Sequence, residues 1–267
     1  MRAAVLGKPI AHSLSPVLHT AAYWALGLDG EWTYEIVECD EAELPGVLDG
    51  GWAGLSLTMP LKRAVLPLLD HVEPLAVEVG GANTVVFRRD GRHGYNTDVP
   101  GMVAALAAIG VVKADSATIL GAGATACAAL AALRELGLTE VLVLVRDQAR
   151  AGDLLAAARR LDMVADVRLL TSGLRDGDLL ISTLPAGAAD FFSKRPLVSP
   201  PRPSAVLDVV YAPWPTPLAT AAERAGIPVA SGGDLLLYQA ARQVELMTGV
   251  AAAPLEAMRA ALARAQA

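Results

Sequence analysis

Cysteine is nearly absent: 267 residues hold only Cys39 and Cys127. Neither has metal-ligand spacing, and the four histidines do not gather near them, so a disulfide framework and a cysteine-based metal centre are excluded and a reduced, cytoplasmic protein is expected. Cys127 could have a lowered thiol pKa at a helix start, or be a small core side chain. Long apolar runs are missing too. Hydrophobic content is 54%, yet no stretch of about 20 residues is free of polar or breaker residues, so no membrane span is expected. Met1 to Gly7 is too short an apolar run for a signal peptide and reads as a first strand. There is no excess of basic charge. The formal net charge is −6, which gives no global attraction for nucleic acid or anionic lipid. Internal repeats and low-complexity tails are absent as well.

What is present is an alternation of apolar strands and helical stretches, the mark of an α/β protein with mostly parallel sheets. The spacing predicts strands at 2–6, 32–37, 52–57, 116–120, 140–145, 167–170, 179–182 and 206–210. A hairpin is expected over 82–87 and 92–95, closed by Arg89-Asp90-Gly91. Helices are expected from Ser15 as N-cap to about Leu26, over 41–48 and 60–69, from Asp98 to Ile109, over 124–136, from Asp234 to Met247, and over 254–265. Gly232-Gly233 is read as a break before the long amphipathic helix, and the last helix as plain packing.

The second half is organised around Thr118-Ile119-Leu120-Gly121-Ala122-Gly123-Ala124-Thr125-Ala126. Gly121, Gly123 and Ala126 fill the three positions of G-x-G-x-x-G/A. The first permits a tight turn, the second lets a pyrophosphate approach the backbone, and the third lets the helix pack on the strand. The helix N-terminus then faces the phosphates. A dinucleotide site and a tight structural turn both fit this pattern; a flanking strand and helix favour the first. Arg146 and Arg150, beyond the next strand, could clamp a 2′-phosphate. Asp147 could repel that phosphate, accept a ribose hydroxyl, or simply cap the following helix.

Ser13, Ser15, Thr58, Lys62, Asn83 and Asp98 all fall at or just past predicted strand ends, where open α/β sheets collect ligands. Singly, each has a plain explanation as a cap, a turn residue or a solvated charge. Together they carry a resemblance. The loop 7–16 (Gly7-Lys8-Pro9-Ile10-Ala11-His12-Ser13-Leu14-Ser15-Pro16), with Ser56-Leu57-Thr58-Met59-Pro60-Leu61-Lys62, Gly81-Ala82-Asn83-Thr84 and Asn96-Thr97-Asp98, resembles the shikimate dehydrogenase family. The likeness continues through the glycine loop, Ser182-Thr183-Leu184-Pro185, Asp208-Val209-Val210-Tyr211, Thr216-Pro217-Leu218 and Gln239-Ala240-Ala241, and spans nearly the whole chain.

The resemblance implies NADP-linked, reversible reduction of 3-dehydroshikimate to shikimate, in aromatic amino acid biosynthesis. It also implies a substrate domain over 1–100, a Rossmann NADP-binding domain over 101–233, and C-terminal helices over 234–267 that return to the first. On that pattern Ser13 and Ser15 bind the substrate carboxylate with Tyr211 nearby, while Thr58, Asn83, Asp98 and Gln239 read the ring hydroxyls. Lys62 and Asp98 form the catalytic pair. Gly121, Ala122, Gly123, Ala124, Thr125, Ala126, Arg146, Arg150, Thr183, Leu184, Gly233 and Leu235 hold the cofactor, Leu235 near the nicotinamide. Hydride addition puts charge on the ketone oxygen, which Lys62 can meet with a proton; no metal or covalent nucleophile is required.

The chain departs from the family at Thr20 and Ser56, each in place of asparagine, and at Val145-Arg146-Asp147, where an Asn-Arg-Thr or Asn-Arg-Ser is usual. With Arg146 and Arg150 set against Asp147, NADP is expected over NAD. A quinate/shikimate or aminoshikimate dehydrogenase preferring NAD, and a non-catalytic dinucleotide-binding regulator, are the alternatives. Monomer and homodimer are equally open.

Overall fold

The computed structural model describes residues 1–193, 197 and 200–266. The chain divides into two compact units, Met1–Asp98 with Leu236–Ala267, and Val99–Leu235.

The first unit contains strands β1 (Arg2–Gly7), β2 (Thr33–Glu38), β3 (Gly54–Leu57), β4 (His71–Val72), β5 (Thr84–Arg88) and β6 (Gly91–Tyr95). Its helices are α1 (Ser15–Ala25), α2 (Leu44–Leu48), α3 (Leu61–Ala64) and α4 (Pro74–Val79). The strands form one sheet in the order β2-β1-β3-β5-β6-β4. β1 pairs in parallel with β2 and β3, and β4 with β6, whereas β5 runs antiparallel to both β3 and β6. β1 and β3 are apolar along almost their whole length because both faces are covered.

Helix α5 (Asp98–Ala108) carries the chain into the second unit. There β7 (Ala117–Leu120), α6 (Ala124–Glu135), β8 (Glu140–Val145), α7 (Gly152–Arg160), β9 (Val164–Leu169), β10 (Leu179–Ser182), α8 (Asp190–Ser193), β11 (Ala205–Asp208), α9 (Pro217–Arg224) and β12 (Val229–Ser231) follow. The sheet is parallel throughout, in the order β12-β11-β10-β7-β8-β9. Counted from the first strand of the unit this is the 3-2-1-4-5-6 order of the Rossmann fold, with its switch point between β7 and β10. β7, β10 and β11 are buried at every residue, while the edge strand β9 is half-exposed. Residues 126–133 of α6, mostly alanine, are all buried; small side chains let the helix lie close.

Helix α10 (Gly232–Thr248) returns the chain to the first unit, and α11 (Leu255–Gln266) follows. Leu237, Val244, Met258 and Leu262 pack with Leu18 and Ala22 of α1 in one apolar cluster. Each fully buried leucine or methionine there is worth about 1.5–3 kcal/mol. Among the described residues, no helix is long and apolar enough to cross a membrane.

Two local expectations are corrected. Ser15 is not a cap: Leu14 holds that position and Ser15 begins the helix, with no side-chain capping bond. Its hydroxyl instead bonds the Tyr34 side chain. Gly232 and Gly233 do not break a helix; they start α10. A Cβ at Gly232 would collide with the Val209 carbonyl oxygen, so close backbone approach explains the glycine. β4, α4, α8, α9 and β12 have no counterpart among the elements expected from the sequence.

Candidate active site

In the first unit, four polar side chains from four segments converge. Thr58, just after β3, accepts the Leu61 N–H on its backbone carbonyl, which turns the chain into α3 and presents Lys62. The Lys62 carbonyl accepts from the Ala82 N–H at 2.8 Å, fixing the lysine against the start of β5. Lys62 Nζ donates to Asp98 Oδ2 at 2.5 Å, with side-chain exposures of only 15% and 9%. The other carboxylate oxygen, Oδ1, accepts from Asn83 Nδ2 at 2.8 Å. Asn83 Nδ2 also reaches Gln239 Oε1 at 3.4 Å. Asn83 Oδ1 is held by the Thr97 N–H at 2.8 Å and the Thr84 hydroxyl at 2.9 Å. Asp98 itself is oriented by Asn96, whose Oδ1 accepts the Asp98 N–H while its Nδ2 donates to the Gly81 carbonyl. An ammonium so enclosed can deliver a proton and stabilise an oxyanion.

Behind this set lies a second layer that sequence reading missed. Gln243, 1% exposed, accepts on Oε1 from the Ser56 hydroxyl at 2.8 Å and from His19 Nε2 at 3.3 Å. Its Nε2 donates to Thr84 Oγ1 at 3.0 Å and to the Asn83 carbonyl at 3.3 Å. Tyr34 donates to Ser56 Oγ at 2.6 Å and also hydrogen-bonds Ser15. Burial pushes the Tyr34 phenol far up, so it acts only as a neutral group. Burial also drives the His19 imidazole down to about 3, leaving it neutral. Since Gln243 Oε1 can only accept, His19 carries its proton on Nε2 and receives the Tyr23 hydroxyl at Nδ1. The ring is stacked on Tyr34 with centroids 3.9 Å apart. A donor direction is thereby fixed from Tyr34 through Ser56 and Gln243 to Asn83. A glutamine in an apolar helix, 187 residues from its serine partner, gives no signal in the sequence.

Ser13 and Thr58 lie on the loops after the adjacent strands β1 and β3, and both are half-buried. Ser13 Oγ accepts the Ser15 N–H at 3.3 Å. Tyr211 belongs to the second unit, after β11, and burial raises its phenol.

In the second unit the remaining residues all follow carboxyl ends of strands: Gly121, Ala122, Gly123, Ala124, Thr125 and Ala126 after β7, Arg146 and Arg150 after β8, Thr183 and Leu184 after β10, Gly233 and Leu235 after β12. Gly121 has φ +103°, and a Cβ there would lie 2.6 Å from Thr183 Oγ1, which donates to the Leu120 carbonyl at 2.7 Å. Bare backbone therefore lines the switch-point crevice. Gly123 caps α6 without a side-chain bond, and a Cβ there meets nothing within 4 Å, so the helix N-terminus is open to an anion. Arg146 and Arg150 are exposed. Asp147 Oδ1 accepts the Ala149 N–H at 3.0 Å, the capping alternative of the three considered.

Family models match the chain twice: the shikimate dehydrogenase substrate binding domain over residues 5–85 and the shikimate 5′-dehydrogenase C-terminal domain over residues 234–263. A curated shikimate dehydrogenase (NADP(+)) from Thermus thermophilus is 39% identical over 262 residues, covering 94% of this chain and 93% of that protein. This chain belongs to the shikimate dehydrogenase family. Solved relatives agree. The Mycobacterium tuberculosis shikimate dehydrogenase superposes with a TM-score of 0.86 at 42% identity, covering 98% and 99% of the two chains. A Thermus thermophilus shikimate 5-dehydrogenase, solved in complex with NADP(H) and shikimate, gives 0.84 at 37% identity and covers 99% of each. Both family matches fall in the first unit, apart from two residues at the start of α10, and the first includes Ser13, Ser15, Thr58, Lys62 and Asn83.

Proposed function

We propose that this chain catalyses the reversible, NADP-dependent reduction of 3-dehydroshikimate to shikimate. The observation that carries the reading is the enclosed Lys62–Asp98 pair, 2.5 Å apart, with Asn83 and Gln239 beside it. NADPH, when bound, supplies the hydride. Lys62 Nζ then gives its proton to the oxygen that the hydride leaves negative, and recovers one from solvent. Asp98 keeps the ammonium aimed and, in the oxidation direction, stabilises the charge that Lys62 regains. General acid–base help of this kind is worth about 10²–10⁴ in rate.

Asn83, Gln239 and Thr58 read the ring hydroxyls, and Ser13 and Ser15 take the carboxylate. A site whose buried polar groups expect hydroxyl partners rejects analogues that lack them. The domain roles follow: substrate binding over 1–100, cofactor binding over 101–233, and the helices over 234–267 supporting the first. The cofactor fit is supported by the crevice at Gly121, the open N-terminus of α6, and two exposed arginines after β8. Asp147 is engaged in its own cap, which favours the 2′-phosphate of NADP over the ribose hydroxyl of NAD.

Initial-rate oxidation of shikimate with NADP and NAD in parallel, and of quinate with each, tests this. Shikimate with NADP is expected to be the best pair. Equal or faster turnover of quinate with NAD would replace this reading with a quinate/shikimate dehydrogenase.

A further inference from the structure

Away from that site, three side chains converge at the edge of the first unit's sheet. β4 is only two residues long, and its His71 pairs in register with His93 of β6. The two imidazoles stack with centroids 4.4 Å apart and planes 23° from parallel. Asp90, in the turn between β5 and β6, faces both. His93 Nε2 lies 3.0 Å from Asp90 Oδ1, and His71 Nε2 lies 3.8 Å from Oδ2 and 3.2 Å from the Asp90 carbonyl. One ligand atom from each of the three residues falls within 4.8 Å of the other two.

The turn is held in place by its surroundings. Gly91 has φ +129°, and a Cβ there would lie 2.5 Å from Asp70 Oδ2. That same oxygen accepts the Arg92 N–H at 2.8 Å, and the Asp70 N–H donates to the Arg92 carbonyl at 3.0 Å. The Arg92 guanidinium is drawn off to Asp49, leaving Asp90 to the histidines. His71 and Asp90 remain open to solvent, with side-chain exposures of 52% and 64%, so an ion can enter.

We propose that His71, Asp90 and His93 form a binding site for a divalent late first-row transition cation, Zn²⁺ or Ni²⁺. Two imidazoles and one carboxylate are the donor set such ions take, whereas Mg²⁺ and Ca²⁺ require more oxygen ligands than this cluster offers. Each imidazole now turns Nε2 toward an Asp90 oxygen. Moving the ring proton to Nδ1 exposes the Nε2 lone pair, and a cation then occupies the place between rings and carboxylate, with water completing its shell. Its effect is mechanical: it ties the edge strand β4 to the β5–β6 turn. Neither Lys62 nor the glycine loop takes part, so this site stands apart from the proposed catalysis.

Calorimetric titration of untagged, metal-stripped protein with ZnCl₂, NiCl₂ and MgCl₂ tests the proposal. One Zn²⁺ or Ni²⁺ per chain is expected, with no heat from Mg²⁺. His71→Gln and His93→Gln, which keep a polar side chain at each position, should each weaken binding at least about tenfold and leave shikimate oxidation in metal-free buffer unchanged. Zinc should also raise the Tm of the wild type but not of the double variant, because a ligand that binds only the folded chain stabilises it. Absence of binding by both Zn²⁺ and Ni²⁺ overturns the proposal. So does binding of undiminished strength in both variants, which would put the ion elsewhere, at His12 or a cysteine.

Discussion

The two units both gather their candidate site residues at strand ends but from opposite materials. In the first, a mixed sheet supports side chains: Lys62, Asp98, Asn83, Gln239 and Gln243 hold one another through charge and hydrogen bonds. In the second, a wholly parallel sheet presents backbone: Gly121 and Gly123 have no side chain at all, and the helix N-terminus supplies the polarity. The contrast fits the two tasks. Proton transfer needs a titratable group held at one point, whereas a pyrophosphate needs many amide donors and room to approach. Substitutions at Lys62 and Asp98 should therefore act through kcat, and those in the glycine loop through cofactor affinity.

The largest break in that pattern is expected at Asp98. Asp98→Asn keeps the shape but removes the charge that holds Lys62, and kcat should fall by about 10²–10⁴. The plain alternative is that Asp98 merely begins α5, where a carboxylate is worth about 0.3–1 kcal/mol to the helix. Unchanged kinetics with a slightly lower Tm would select that alternative.

Gly121→Ala comes next. It adds a Cβ against Thr183 Oγ1 at a positive φ, a strain of about 1–3 kcal/mol. Loss of NADP affinity should exceed any change in the affinity for shikimate, as titrations of each ligand would show. An equal loss of both would erase the distinction between the units.

Gln243→Leu sharpens the comparison from within the first unit. It leaves the His19 N–H and the Ser56 hydroxyl without their buried acceptor, at about 1–3 kcal/mol for each group that stays unpaired. Urea unfolding should shift by at least one such increment, and the KM for shikimate should rise as Asn83 loses support. A midpoint equal to that of the wild type would mean the network repacks freely.

The same buried network can be tested without altering Gln243, through the pH dependence that His19 gives to stability. The unfolded chain protonates this imidazole near 6.5, the folded chain only near 3. Between those values the unfolded state binds the extra proton, so stability is full above about 6.5 and declines as pH falls toward 3. The slope contributed is at most about 1.4 kcal/mol per pH unit. The difference in urea midpoint between wild type and His19→Gln, followed from pH 7 to pH 4, should narrow by that trend; a constant difference would contradict it.

Much of the second unit is legible in the sequence because its signals are local. β7, the glycine loop and α6 are contiguous, and each residue's task follows from its neighbours. From residue types alone the catalytic candidates are legible only as separate residues at strand ends; the family resemblance groups them, and the sheet order is what brings them together. Gln243 is invisible, since nothing in an amphipathic helix distinguishes a glutamine that turns inward to Ser56 from one that faces water. The His71–His93 pairing is hidden for the same reason: β4 is too short to show a period, so two histidines 22 positions apart give no hint that they stack. At Ser15 the sequence misleads by one position. Proline after serine is a strong helix-start pattern, but the backbone begins the helix at the serine itself, whose hydroxyl makes no capping bond.

The most direct test is the Lys62→Ala variant, measured for turnover and for binding in the same preparation. Turnover of shikimate with NADP should fall at least about 10²-fold while shikimate and NADP still bind, since only the proton donor is gone. Turnover near that of the wild type would contradict the claim that the ammonium beside Asp98 carries the chemistry.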